Sequence, residues 1–126
     1  MTVREHVLLA SLTTLRVGGN ARFVAECVTP DDVLRAITFA REKSLPWRPL
    51  GSGSNVLASD EGYEGVLLLI CIPGIDTISN GAVVHVTAGA GVDWDALVRY
   101  AAERGLWGFE NLAGIPGTVG AAPVQN

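Results

Sequence analysis

No run of Lys or Arg occurs in this 126-residue chain, and its formal net charge is −4. Gripping nucleic acid through its phosphates takes clustered basic side chains, so that class of partner is excluded. Charge of either sign is scarce, at 17% of residues against 48% hydrophobic, which is the reverse of a disordered, solvating chain. Long apolar runs are missing too. The longest, residues 66–72, falls far short of the roughly 20 residues that cross a bilayer. The patch at residues 7–10 is too short for a secretory segment and is followed by no small-residue cleavage site. Cys27 and Cys71 each stand alone in an apolar, strand-like stretch and read as small buried hydrophobes, not as a disulfide or a nucleophile. His6 and His85 have no Cys or carboxylate at ligand spacing, so no metal site is expected. What is left is one domain with a real core, expected in a reducing, cytoplasmic compartment with no membrane partner.

What is present has the punctuation of a sheet with helices packed on it. Arg22 to Val28 is rich in β-branched and aromatic residues and reads as a strand. Thr29-Pro30-Asp31-Asp32 is a helix start: a cap, a residue suited to the first turn, and two carboxylates at the positive helix end. Val33, Ile37 and Ala40 form its inner stripe, and Leu45-Pro46 ends it. A short strand, Trp47 to Leu50, runs into Gly51-Ser52-Gly53-Ser54-Asn55. Residues 66–70 are apolar without alternation, as in a strand covered on both faces. Ser79-Asn80-Gly81 signals a hairpin turn before a strand over residues 82–88 that contains His85. Asp93 caps a second helix with Trp94, Leu97, Val98 and Ala101 on one face, and Gly105 closes it. This order predicts an α+β or α/β sheet domain without repeats. The stretch from Gly114 to Asn126 has no closing element, so the expectation is a truncated domain.

Two segments are candidates for ligand chemistry. Glycines in the 51–55 loop let backbone amides approach a ligand closely, and Ser52, Ser54 and Asn55 add uncharged groups that can bond phosphate oxygens. A plain Gly/Ser turn explains that composition equally well. The P-loop pattern fails because Asn55-Val56 stands where a Lys is required. The dinucleotide fingerprint fails at both GxG sites: Val56-Leu57-Ala58 leads to another turn, and Trp94 occupies the third-glycine position after Gly89-Ala90-Gly91. The second segment, residues 110–123, has many small residues and two stiffening prolines; a loop so long and constrained is usually functional or disordered, and Pro116 with Ile115 argues against disorder. Two such loops suggest an elongated ligand held at more than one point.

Leu50-Gly51-Ser52-Gly53-Ser54-Asn55-Val56-Leu57 resembles the pyrophosphate loop of the UDP-N-acetylenolpyruvoylglucosamine reductases (UDP-N-acetylmuramate dehydrogenases). Thr13-Thr14-Leu15-Arg16-Val17-Gly18-Gly19 resembles their opening motif, and the stretch from Asn111 to Asn126 a third one, in the same order and spacing. The resemblance implies an α+β FAD-binding fold of the vanillyl-alcohol oxidase (PCMH) type. Residues 1–126 would then be an incomplete FAD-binding domain, the N-terminal lobe and the start of a second. FAD is implied to lie between the lobes, held by Gly51, Ser52, Gly53, Ser54, Asn55, Val56 and Leu57 and by Ile115, Pro116, Gly117, Thr118, Gly120 and Ala121. The implied parent reaction is reduction of the enolpyruvyl ether of a UDP-sugar by NADPH through FAD, giving UDP-N-acetylmuramate for peptidoglycan synthesis.

In that family the acid serine, the arginine and the glutamate of catalysis lie downstream of the third motif, so no catalytic residue is assigned here. Ser52 and Ser54 are expected to serve the cofactor, and Glu110 to satisfy loop amides. The UDP-sugar would be a partner only of a longer protein. Two rivals stay open: another flavin oxidase or dehydrogenase of the same fold, and a non-catalytic nucleotide-binding module. No His or Cys occurs in residues 51–55, so the flavin is expected to be non-covalent. A side chain at Gly53 is expected to fill ligand space or force an unsuitable backbone angle. Residues 66–72 need cover on both faces, and if a missing part supplies some of that cover, the chain alone is expected to self-associate.

Overall fold

The structure is a computed structural model and describes residues 1–125; Asn126, the end of the third motif, lies outside the described residues. Along the chain run β1 (Thr2–Leu8), β2 (Asn20–Cys27), α1 (Pro30–Glu42), β3 (Trp47–Leu50), β4 (Tyr63–Ile70), β5 (Ile75–Asn80), β6 (Val83–Ala88), α2 (Trp94–Glu103) and the short α3 (Ala122–Gln125). A four-stranded sheet has the order β1-β2-β4-β3, with β2, β4 and β3 parallel and β1 antiparallel at one edge. β5 and β6 form a separate antiparallel hairpin.

The start of α1 forms as its sequence dictates. Thr29 Oγ1 accepts from the Asp32 amide at 3.1 Å, and Asp32 Oδ2 accepts from the Thr29 amide at 3.2 Å, a reciprocal capping box. Asp32 also accepts from the Val28 amide, and its other oxygen lies 2.8 Å from the Met1 ammonium. The Met1 ammonium chiefly, then the Thr29 and Val28 groups, hold this carboxyl at about 2 against the opposing effect of desolvation.

Both faces of the sheet are covered from within the chain. Phe23, Ala25, Cys27, Val66 and Leu68 pack under Ala36 and Ala40 of α1. Val24, Leu50 and Leu67 face the other way, where Leu9, Leu12 and Ala58 of the connecting segments cover them. Val66, Leu67 and Leu68 thus alternate between two dry faces, which is why the run shows no polar alternation. The cover that residues 66–68 require is thus intrinsic, while residues 69–72 are half-buried. The exposed apolar groups are elsewhere, at Trp107, Val124 and Leu57.

The sequence reading omits two strands. β1 carries Arg4, Glu5 and His6 in succession, yet Val3 and Val7 pair with Ala25 and Ala21 and pack inward. β5 is almost wholly exposed and is held by its ladder to β6 across the predicted turn, where Gly81 has φ +62°. In α2, Asp93 accepts from the Ala96 amide at 2.9 Å and Leu97, Val98 and Ala101 are buried as expected, while Trp94 is only half-buried. Cys27 is buried and Cys71 half-buried, both free, and burial pushes both thiols up, away from the reactive thiolate. The stretch predicted to lack any closing element ends in α3, whose first turn takes up Pro123.

Two predictions follow from the α1 cap. Thr29→Ala removes one half of the capping box and should lower stability by about 1 kcal/mol in urea denaturation. Asp32, with its folded value lowered from 3.8 to about 2, contributes stability that is complete above pH 3.8 and is lost as pH falls through 2. Asp32→Asn should therefore melt below the parent chain at pH 7, with the gap closing between pH 4 and pH 2 in thermal scans. A gap independent of pH would mean the charge contributes nothing.

Candidate functional site

Parallel strands deliver the chain to one edge of the sheet. β2 ends there and turns into α1, β3 ends there in the 51–57 loop, and β4 ends there at Cys71-Ile72. The carboxyl ends of parallel strands are where ligands settle in such sheets. A cleft of about 420 Å³ opens at this edge. Val33 from α1, Leu50, Ile70, Ile72, Ala90 and Val124 give it apolar walls, residues 51–56 run along it, and Thr118, Gly120 and Ala121 close it from the third motif. No charged side chain lines it.

Backbone amides of residues 51–56 donate to no protein acceptor among the described residues. An unpaired run of successive donors at the rim of an apolar cleft suits an anionic acceptor, because consecutive N–H groups form a concave nest of positive potential. Gly51 is a contact point between the two loops: a Cβ there would stand 2.9 Å from Thr118 Oγ1 and 3.4 Å from the Ala121 methyl. Ser54 Oγ reaches the Pro116 carbonyl at 3.4 Å. The two segments singled out in the sequence therefore meet, although more than 60 residues separate them.

The first motif holds the loop from behind. Thr14 donates from its amide to the Gly53 carbonyl at 3.2 Å, and its hydroxyl does so at 3.3 Å. Gly53 has φ +71°, and a Cβ there would overlap the Leu12 carbonyl and lie 2.8 Å from Thr13 Cα. Gly53 is thus glycine because the opening motif packs against it. Of the two expectations for a side chain there, the unsuitable backbone angle holds, and the space it would fill belongs to Leu12 and Thr13.

The third motif is laced to the segment between β6 and α2. Gly120 donates to the Ala90 carbonyl at 2.9 Å, Val119 to Val92 at 2.8 Å, and Trp94 to Gly117 at 3.0 Å. The Trp94 indole donates to the Leu112 carbonyl at 2.7 Å, and Asp95 Oδ1 accepts from the Gly114 amide at 2.8 Å. Gly89 and Gly91, which fail as a dinucleotide fingerprint, are there for packing: a Cβ on either would strike the backbone of residues 71–73.

Of the residues marked in the sequence, Gly51, Ser52, Gly53, Ser54, Asn55, Val56, Thr118, Gly120 and Ala121 line one cleft. Leu57 points away and is 80% exposed, beside a shallow hollow with Val17 and Ala58. Ile115, Pro116 and Gly117 form the approach to Thr118 and do not line the cleft. Val33, Ile70 and Ile72 line it without having been marked, because their apolar spacing signalled only core, and Ala90 lines it although its GxG was set aside as a failed fingerprint. Glu110 accepts from the Gly108 amide at 2.6 Å, and the amides of Glu110 itself, Gly108 and Phe109 hold its carboxyl below the usual range. It serves loop amides, as expected. Among the described residues no group of three His, Cys, Asp or Glu is placed to hold a metal, and no helix is long and apolar enough to cross a membrane.

The Gly53 contact gives a direct test. Gly53→Ala should cost roughly 1–3 kcal/mol of stability through its strained angle, and more if the Leu12 carbonyl cannot yield. Denaturation that leaves the midpoint unchanged would show that the opening motif does not hold the loop.

The model of the FAD binding domain family matches residues 21–126. The chain is 45% identical over 125 residues to the UDP-N-acetylenolpyruvoylglucosamine reductase of Nocardia farcinica, covering 99% of this chain and 31% of that protein. It is 41% identical over 127 residues to the enzyme of the same name from Pseudomonas aeruginosa, covering 100% and 37%. The crystal structure of UDP-N-acetylenolpyruvylglucosamine reductase from Thermus caldophilus superposes with a TM-score of 0.71 at 36% identity, over 96% of this chain and 41% of that one. A cholesterol oxidase from Brevibacterium sterolicum superposes with a TM-score of 0.63 at 23% identity, over 82% and 20%, which shows a shared fold. The chain spans about a third of the length of the curated reductases it matches. Its fold is the α+β FAD-binding fold of the vanillyl-alcohol oxidase (PCMH) type, and the chain belongs to the FAD binding domain family.

Proposed function

We propose that this chain is the FAD-gripping part of an NADPH-dependent reductase that converts UDP-N-acetylenolpyruvoylglucosamine to UDP-N-acetylmuramate in the cytoplasm. The observation that carries the reading is the unpaired run of amides at residues 51–56, set in an uncharged apolar cleft where three parallel strands end. FAD fits that donor set: its pyrophosphate needs several close donors and its ring systems need apolar walls. Each amide bonded to a charged oxygen contributes about 1.5–3 kcal/mol. Ser52 and Asn55 have side chains free to add donors, and Ser54 can turn from the long bond to Pro116. Thr118, Gly120 and Ala121 close the cleft over the loop, with Ile115, Pro116, Gly117 and Leu57 as flanking residues of the same two segments. Val33, Ile70 and Ile72 exclude water from the walls. When bound, FAD supplies the hydride transfer. In this reading the proton donor and the UDP-sugar grip are supplied by the remainder of the parent protein. No His or Cys lines the cleft, which favours a non-covalent cofactor.

Titrating FAD against the chain by flavin fluorescence should give saturable binding. Gly51→Val, which pushes a side chain against Thr118 and into the cleft, should weaken that binding at least about tenfold. Equal affinities would remove the loop from the site. Activity is read from NADPH absorbance with and without the enolpyruvyl substrate. The 126-residue chain with excess FAD should show no substrate-dependent oxidation, whereas its fusion to the remaining portion of the Nocardia farcinica relative should. Turnover by the chain alone would mean the proton donor lies within it.

A further inference from the structure

The third motif has little with which to hold itself. Between Gly114 and Ala121 only Ile115 and Val119 carry large apolar side chains, and Gly114 and Gly117 both sit at positive φ, +80° and +126°. A segment so poor in packing groups takes its path from hydrogen bonds. Ser54 Oγ reaches it from the 51–56 loop at the Pro116 carbonyl, and three backbone bonds tie it to Ala90, Val92 and Trp94. The first turn of α2 adds two side-chain bonds at its entry: Trp94, through its indole, on the Leu112 carbonyl, and Asp95 on the Gly114 amide.

We propose that Asp95 is a positioning residue for the cleft: by fixing Gly114 it sets the course on which Thr118 and Ala121 come to lie against Gly51. It lines no part of the cleft itself, and its partner is 19 residues away in sequence. Its place beside Trp94 lets the two side chains clasp both sides of the Leu112 to Gly114 corner, so neither can be lost without loosening the entry to the segment. Asp93, two residues earlier at the helix cap, is committed to the Ala96 amide and bridges to Thr118 through its backbone, which leaves Asp95 as the carboxylate available for Gly114. The consequence for FAD rests on the site reading above; the clasp itself does not.

The decisive comparison is Asp95→Ala against Asp95→Asn, in the full 126-residue chain. Asn keeps an oxygen that can accept from Gly114 but loses the charge, so it separates the hydrogen bond from any interaction with the helix end. Flavin fluorescence titration should give FAD affinity about tenfold weaker for the Ala variant and within about twofold of the parent for Asn. Hydrogen exchange of the amides of residues 114–121, measured without FAD, should quicken in the Ala variant and stay near parental in the Asn variant, while exchange in β2 and β4 stays unchanged in both. Unchanged exchange at 114–121 in the Ala variant overturns the clasp. Faster exchange with unaltered FAD affinity overturns the positioning role. An Asn variant as impaired as Ala overturns the hydrogen bond as its cause. If the parent chain binds no FAD, the site reading has failed, and the exchange arm still decides whether Asp95 holds the segment.

Discussion

A loop made of Gly, Ser and Asn cannot hold its own shape. The 51–55 segment has no side chain large enough to anchor in a core, and its amides are left unpaired, so its conformation is imposed by what packs against it. Behind it stands the Leu12 to Thr14 stretch, close enough that Gly53 admits no Cβ. In front stand Thr118 and Ala121, close enough that a Cβ at Gly51 would meet Thr118. The same device recurs between Gly19 and the Asp60 carbonyl, and between Gly120 and Ala90. The three sequence motifs are three layers of one stack, in which glycine permits backbone to approach backbone. Order and spacing of the motifs matter together because each supplies the wall that the next one needs.

The sheet determines where that stack sits. Because β2, β4 and β3 are parallel, their carboxyl ends come out at one edge, and the groups they deliver there differ in kind: a helix start, a polar loop and an apolar turn. Covering one face with α1 leaves the opposite face to the 9–19 and 51–62 segments. The loop that forms the site leaves the sheet directly after Leu50, a member of that cluster, and leans on the Leu12 to Thr14 stretch, whose Leu12 covers the same cluster. Site and stability share residues here, and a substitution at Gly53 acts on both at once.

Much of this was legible in the sequence. The α1 cap, the hairpin turn and the second cap at Asp93 follow from short-range rules, because each rests on neighbours within four residues. The two-sided cover expected for residues 66–70 was read from a run without polar alternation, although its partners are distant in sequence and Leu69 and Ile70 are only half-buried. Thr29 and Asp32 specify their own geometry whatever the rest of the chain does. The strands at residues 2–8 and 75–80 were not legible, since each draws its stability from a partner strand, not from its own apolar pattern. The cleft was half legible. Its donors announce themselves by composition, but Val33, Ile70 and Ile72 look like core residues and become walls only because the sheet ends beside them. Gly89 and Gly91 show the converse. They form a GxG whose use is the close passage of residues 71–73, which no local pattern distinguishes from a ligand loop.

Helix ends explain why an anion would fall to the 51–56 amides at all. Val33, in the first turn of α1, lines the cleft, so a positive helix terminus stands at the site and would ordinarily receive a phosphate. Here the amides of Val28, Thr29 and Asp32 are already taken by Asp32 and Thr29, and the Asp32 carboxylate is held ionised by its partners. An anion at that terminus would meet the fixed negative charge of Asp32, with few amides left to donate. α2 likewise has its Ala96 amide taken by Asp93 and carries Asp95 in its first turn. Acidic side chains thus occupy or oppose both helix starts, whereas the 51–56 amides donate to no protein acceptor among the described residues and lie in a loop that leads to no helix.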